Sequence, residues 1–138
     1  MKKVCLFTTL VAILLLVTGC GKNEVVCTQS VSGVKVDMIL NFNGDKVDAM
    51  GLKYTMDLSN YSDAQVDAIK SQNLCSTVQA AMGTYSTAFT NCKQNMENKN
   101  LVITADFDLE KVPGMKEDNS TKEEIIKSLE SQGYKCGN

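Results

Sequence analysis

Between Val34 and Phe42 apolar and polar residues alternate, with Val34, Val36, Met38, Leu40 and Phe42 on one side and Lys35, Asp37 and Asn41 on the other. This is the period-two pattern of a half-buried strand. Asn43-Gly44-Asp45 follows, and Asn-Gly is a strong hairpin signal because both residues accept positive φ. The next strand reads KVDAMGLKYTMDL, in which Met50, Leu52, Tyr54, Met56 and Leu58 share a face. Val47 is out of phase with them, which predicts a bulge or twist near Ala49. With VVCTQSV ahead of Ser32-Gly33, these segments predict a three-stranded meander.

The period then changes. Ser62-Asp63-Ala64-Gln65 reads as a capping box, and Val66, Ile69, Leu74, Cys75, Val78, Ala81 and Met82 form a helical apolar stripe with a stutter at Gln72-Asn73 and a stop at Gly83. A strand is expected from Asn91, a turn at Asn98-Lys99-Asn100, and then the clearest alternation in the chain. There Leu101, Ile103, Ala105, Phe107 and Leu109 interleave with Val102, Thr104, Asp106 and Asp108. Val112-Pro113-Gly114 breaks it. A second capping box, Ser120-Thr121-Lys122-Glu123, opens a short helix burying Ile125, Ile126 and Leu129 before Gly133. The expected fold class is α+β, an antiparallel sheet with element order βββαββα and helices packed on one face as a two-layer sandwich. In that arrangement Val36, Met38, Leu40, Ile103, Ala105 and Phe107 are buried, and Lys35, Asp37, Asn41, Thr104, Asp106 and Asp108 face solvent.

The first residues obey a different rule. Lys2 and Lys3 precede an apolar run from Val4 to Val17, the charged and apolar regions of a secretory signal. The run is too short for a stable membrane span, which takes about twenty residues. It ends in Val17-Thr18-Gly19-Cys20, which resembles the lipobox of bacterial lipoproteins. The resemblance implies that residues 1–19 are a lipoprotein signal peptide and that Cys20 becomes the first residue of the mature chain, carrying diacylglyceryl and palmitate-type acyl groups. Residues 20–24 would then be the lipidated cysteine and a tether, and residues 25–138 a single extracytoplasmic domain. Two or three acyl chains, at about 0.8 kcal/mol per buried methylene, hold such a domain on a membrane essentially permanently. An ordinary signal peptide or an uncleaved anchor are the competing readings of the same segment. The expected location is the extracytoplasmic face of a bacterial cell membrane.

From Cys20 onward the chain has twelve lysines, sixteen carboxylates, no arginine and no histidine, a net charge of −4. Phosphate recognition rests on clustered positive charge and bidentate arginine contacts, so a nucleic-acid partner is not expected. Four cysteines remain after Cys20: Cys27, Cys75, Cys92 and Cys136. An even number in an exported chain reads as two disulfides, and the wide spacing lacks the close pairs of zinc sites. Three pairings are open. Cys75 lies on the inward stripe of the first helix and Cys92 just beyond the turn at Gly83-Thr84, so these two are expected to bond. Cys136 follows a last helix that must pack on the sheet holding Cys27, leaving Cys27 with Cys136.

The lipobox, the strand into FNGDKV (Phe42 to Val47), Tyr54, the YSDAQ helix start (Tyr61 to Gln65) and the closing GYKC (Gly133 to Cys136) together resemble the YehR-like group of small bacterial lipoproteins. The resemblance covers most of residues 20–136 and implies a small lipid-anchored α+β domain with no catalytic residues. No chemistry stands out from the residues either. Serine nucleophiles lack a Gly-x-Ser-x-Gly setting and any histidine base. Asp106, Asp108 and Glu110 project to one side of a strand, but the oxygen-rich loop of a calcium site is missing, so a solvated face is expected. Met38, Met50 and Met56 recur on inward positions and read as flexible core fillers. No cofactor, metal site or catalytic residue is expected. The expected function is a non-enzymatic, envelope-associated binding domain that meets a protein, a cell-wall component or a small ligand. The alternative is an extracytoplasmic enzyme using carboxylates or a metal ion.

Overall fold

The structure, a computed structural model, describes residues 23–137. The expected signal peptide over 1–19, the lipid-bearing Cys20 and the first tether residues lie outside the described residues. Six strands, β1 (Glu24–Val31), β2 (Val34–Asn43), β3 (Lys46–Asp57), β4 (Phe89–Glu97), β5 (Asn100–Phe107) and β6 (Lys135–Gly137), form one sheet. Its spatial order is β4-β5-β3-β2-β1-β6, and every neighbouring pair is antiparallel. Among the described residues three helices, α1 (Asp63–Lys70), α2 (Leu74–Ala81) and α3 (Lys122–Ser131), complete an α+β architecture.

Turn chemistry sets the meander. Ser32 and Gly33 both take positive φ between β1 and β2, the requirement of the tightest hairpin turn that matches strand twist. At the next hairpin Asn43 pairs with Lys46, so the loop residues are Gly44 and Asp45 rather than Asn43 and Gly44. Gly44 alone has positive φ there, at the first central position, where a single left-handed residue suffices. The expected bulge is present: Asn41 faces Ala49 while Phe42 faces Val47, leaving Asp48 as the extra residue. That insertion brings Val47 back to the side on which it packs with Phe42.

Two features depart from the expected order. The long first helix is two helices, because the Asn73 side chain accepts the Ser76 N–H and caps α2 where the apolar stripe stutters. A sixth strand follows the last helix, three residues long and too short to show any period. It pairs with β1 so that Cys136 stands directly opposite Cys27. The two disulfides expected of four cysteines are present, joining Cys27 to Cys136 and Cys75 to Cys92. β4 also begins earlier than Asn91, at Phe89, and carries its own bulge, in which Asn91 takes positive φ and shares with Cys92 the place of one residue.

The cap of α3 lies one residue further on than the sequence suggests. Thr121 and Glu124 exchange the reciprocal capping bonds, Thr121 N–H donating to Glu124 Oε2 at 2.8 Å and Glu124 N–H to Thr121 Oγ1 at 3.3 Å. Ser120 is occupied otherwise, its N–H donating to Asp118 Oδ1. Thr121→Ala is therefore expected to destabilise the protein by about 1 kcal/mol, while Ser120→Ala stays within about 0.5 kcal/mol. Urea unfolding of both variants checks this, and an equal loss at the two positions would contradict the register of the cap.

The core gathers Val25, Cys27, Leu40 and Phe42 of β1 and β2, against which Ile125, Ile126 and Leu129 of α3 pack. Of the residues expected inside, Leu40, Ile103 and Ala105 are buried, and Val36, Met38 and Phe107 are half-buried. Of those expected outside, Lys35 and Asp106 are exposed, and Asn41, Thr104 and Asp108 are half-buried. Asp37 is a correction, being only 6% exposed. It sits between Thr28 and Lys53 in the middle of the sheet. Thr28 Oγ1 donates to its carboxylate at 2.6 Å, and the Lys35 ammonium lies 3.3 Å away. A carboxylate so engaged tolerates removal from water.

Candidate functional site

Helix α3 and the α1–α2 segment attach to different parts of the sheet, and the strands between those attachments carry an apolar opening. On one side α3 packs against β1 and β2 residues. On the other, the Cys75–Cys92 bond ties α2 to β4, and Gln94 of β4 accepts the Leu74 N–H at 3.1 Å. The sheet order puts β5 and β3 between them, next to β2. Here Val36 and Met38 of β2, Met50, Leu52 and Tyr54 of β3, and Phe107 of β5 form the floor of a cleft of about 260 Å³. Met82 and Tyr85 border it from the end of α2, Val112 from the turn after β5, and Tyr134 from the segment between α3 and β6.

Each wall is held by local chemistry. Phe107 is braced edge-on by Phe89, ring centroids 5.9 Å apart and planes at 81°. Tyr85 N–H donates to Met82 O, and the Gln79 side chain donates to Ser86 O, which closes the chain around Gly83. Tyr134 N–H donates to Leu129 O, and the Gln29 side chain donates to Gln132 O at 3.1 Å. Gly133 at this corner has a φ of 97°, a left-handed conformation that strains any other residue, while an added Cβ would meet only the mobile end of the Gln29 side chain at 2.9 Å. Burial raises the Tyr54 phenol above its ordinary pKa, and the neighbouring Tyr134 adds to the effect.

A second hollow of about 220 Å³ shares Met38 and Met50 with the cleft and adds Leu40, Met115, Ile125 and Leu129. Asp118 and Glu124 border that second hollow. Met38 and Met50 thus border both hollows, with Met82 on the first and Met115 on the second. Met38 and Met50, read from the sequence as core fillers, are half-buried and line open space, while Met56 is half-buried and lines neither hollow. Thioether side chains on such a surface adapt to ligands of different shape. Met82 was read as the last member of the helical apolar stripe and not as a cleft residue, and the roles of Tyr85, Met115 and Tyr134 escaped sequence reasoning because they sit at element ends, where no period marks a face. The usable signal was the presence of large apolar side chains next to Gly83, Gly114 and Gly133, at turns where solvent is the default surrounding.

The carboxylates singled out in the sequence do not form a row. β5 ends at Phe107, and Asp108 instead caps a short 3-10 turn over Leu109–Lys111. Asp108 is held below the usual carboxylate range, chiefly by its hydrogen bond with Lys111 and further by the Glu110 N–H. Asp106 accepts from Asn91 Nδ2 at 3.2 Å, and Glu110 is exposed. Among the described residues no three His, Cys, Asp or Glu side chains gather as a metal site requires. No helix among them is long and apolar enough to cross a membrane. No known protein family, curated protein or solved structure was found to match this chain.

Proposed function

We propose that this chain is a lipid-anchored extracytoplasmic lipoprotein, similar to the YehR-like group, whose folded part is a non-enzymatic domain binding an apolar ligand. Its layout is a two-layer sandwich, with the helices on the cleft side of the sheet and the opposite strand face uncovered by helices, Asp37 on it being buried by its neighbours. The observation that carries the binding reading is the cleft itself: ten side chains line it, all apolar or phenolic, and none is a carboxylate or an amine. Such a surface, concave and with few polar groups, is the usual form of a small-ligand site. General acid–base chemistry by carboxylates would need Asp or Glu converging on the same space. The anchoring reading is carried by Val17-Thr18-Gly19-Cys20 and places the site at the cell envelope, held by acyl chains on Cys20.

One experiment with two arms tests the proposal. Cells fed labelled palmitate should incorporate it into the wild-type chain and not into Cys20→Ala, and the variant should lose its mature membrane-bound form. Label entering the variant overturns the anchor. In the second arm the full chain, carrying 13C-methyl methionine in lipid nanodiscs, is titrated with the uncharged fluorophore N-phenyl-1-naphthylamine. The methyl resonances of Met38, Met50 and Met82 should shift while that of Met96, outside the cleft, stays in place. Equal shifts at all of them, or none, overturn the site.

A further inference from the structure

We propose that the cleft selects an uncharged apolar molecule bearing a hydrogen-bond acceptor, an ester or ketone on an alkyl or aryl body, with Tyr54 and Tyr134 as the donors. This rests on the reading of the cleft as a binding site and names the chemistry that the site accepts.

Charge decides the first half. A ligand with an ionised head lying on this floor would leave water for a surface with no opposite charge, because no lysine, aspartate or glutamate lines it. A fatty-acid anion extended into the adjoining hollow fares no better, since Asp118 and Glu124 border that space. A cationic head could reach those two groups only by leaving the phenols behind.

The phenols decide the second half. Tyr54 lies on a central strand, its backbone paired with Val36 on β2 and Ile103 on β5, so its place on the cleft floor is set from both sides. No hydrogen bond contributes to the raised pKa of its hydroxyl, and Tyr134 is near enough to act on it. A phenol hydroxyl can donate a hydrogen bond to an acceptor on a ligand. A pure hydrocarbon would displace water from these hydroxyls and return no partner, whereas an ester carbonyl satisfies them. Met38, Met50 and Met82 complete the site with side chains that conform to the body of the ligand without specifying its shape. Selectivity therefore lies in the head group and tolerance in the tail.

The test uses the full chain in nanodiscs with 13C-methyl methionine, read at Met38, Met50 and Met82, against four probes of matched length: methyl octanoate, octanoate, octyltrimethylammonium and nonane. Methyl octanoate should bind at least about tenfold more tightly than the other three, the ratio set by one satisfied hydrogen bond. Tyr54→Phe and Tyr134→Phe, which keep the ring and drop only the hydroxyl, should each bring the ester toward the affinity of nonane and leave nonane unchanged. Unmoved Met56 and Met96 resonances show that the variants are folded. Equal binding of ester and nonane, or ester affinity indifferent to both phenylalanines, overturns the role of the phenols. Tightest binding by octanoate or the ammonium overturns the charge argument. If no probe moves the three methyls, the cleft is not a binding site and this inference falls with it.

Discussion

Replacing Cys27 and Cys136 together by alanine is expected to remove about 4–5 kcal/mol of stability, most of what a domain with a typical net of about 5–15 kcal/mol possesses. The bond closes a sequence separation of 109 residues, and the entropy that a cross-link removes from the unfolded chain grows with the logarithm of the loop. The second bridge, inside that loop, spans only 17 residues and shortens the outer one too little to matter on a logarithmic scale. Its own loss, in Cys75→Ala with Cys92→Ala, should be smaller, about 3 kcal/mol. Cys27 is also fully buried in the core cluster, so truncating it adds a small packing defect to the lost cross-link. Guanidinium unfolding without reductant, on both double variants, measures the order. A loss below about 1 kcal/mol for the outer pair, or a larger loss for the inner one, would show that the long loop is not what the bond restrains.

Phe42→Ala is expected to be the most damaging single truncation of a side chain, costing about 3–5 kcal/mol. Phe42 is 3% exposed and packs with Val25, Cys27 and Leu40, facing the apolar side of α3. Its position just past the bulge also aligns Val47 with that cluster. The Lys122 ammonium lies 5.2 Å from the ring centroid, at the first turn of α3. A cation over a ring contributes about 0.5–1 kcal/mol where solvent reaches it and about 2 where it is desolvated, so Lys122→Ala, at a half-buried site, should fall short of Phe42→Ala. Thermal or denaturant unfolding of the two variants decides the comparison. Similar losses would mean that the cation, and not the buried ring, holds α3 to the sheet.

The placement of the cleft explains why folding and binding make separate demands on this sequence. Core residues at the β1–β2 end meet α3 and are buried, while residues in the same inward phase on the central strands, Met38, Met50 and Tyr54 among them, remain half-open. Substitution at Phe42 or Cys27 should therefore act on stability, and substitution of the cleft phenols on binding.

Strand identity and phase were legible along the chain because a half-buried strand shows its faces directly: β2, β3 and β5 occupy the segments where alternation predicts them, and Asp48 bulges where Val47 breaks phase. Capping motifs were legible to within a residue, since Ser62 and Thr121 each need a glutamine or glutamate three positions on. What local pattern did not hold is everything set by neighbours distant in sequence. β6 exists only because its three residues pair with β1, and Asp37 is buried because Thr28 and Lys35 surround it with a donor and a charge. The methionines were indistinguishable from core fillers, because phase tells which side of a strand a residue takes and not whether a helix arrives to cover it. That was decided by where α2 and α3 attach, at opposite ends of the sheet order, leaving the middle strands to form the floor of the site.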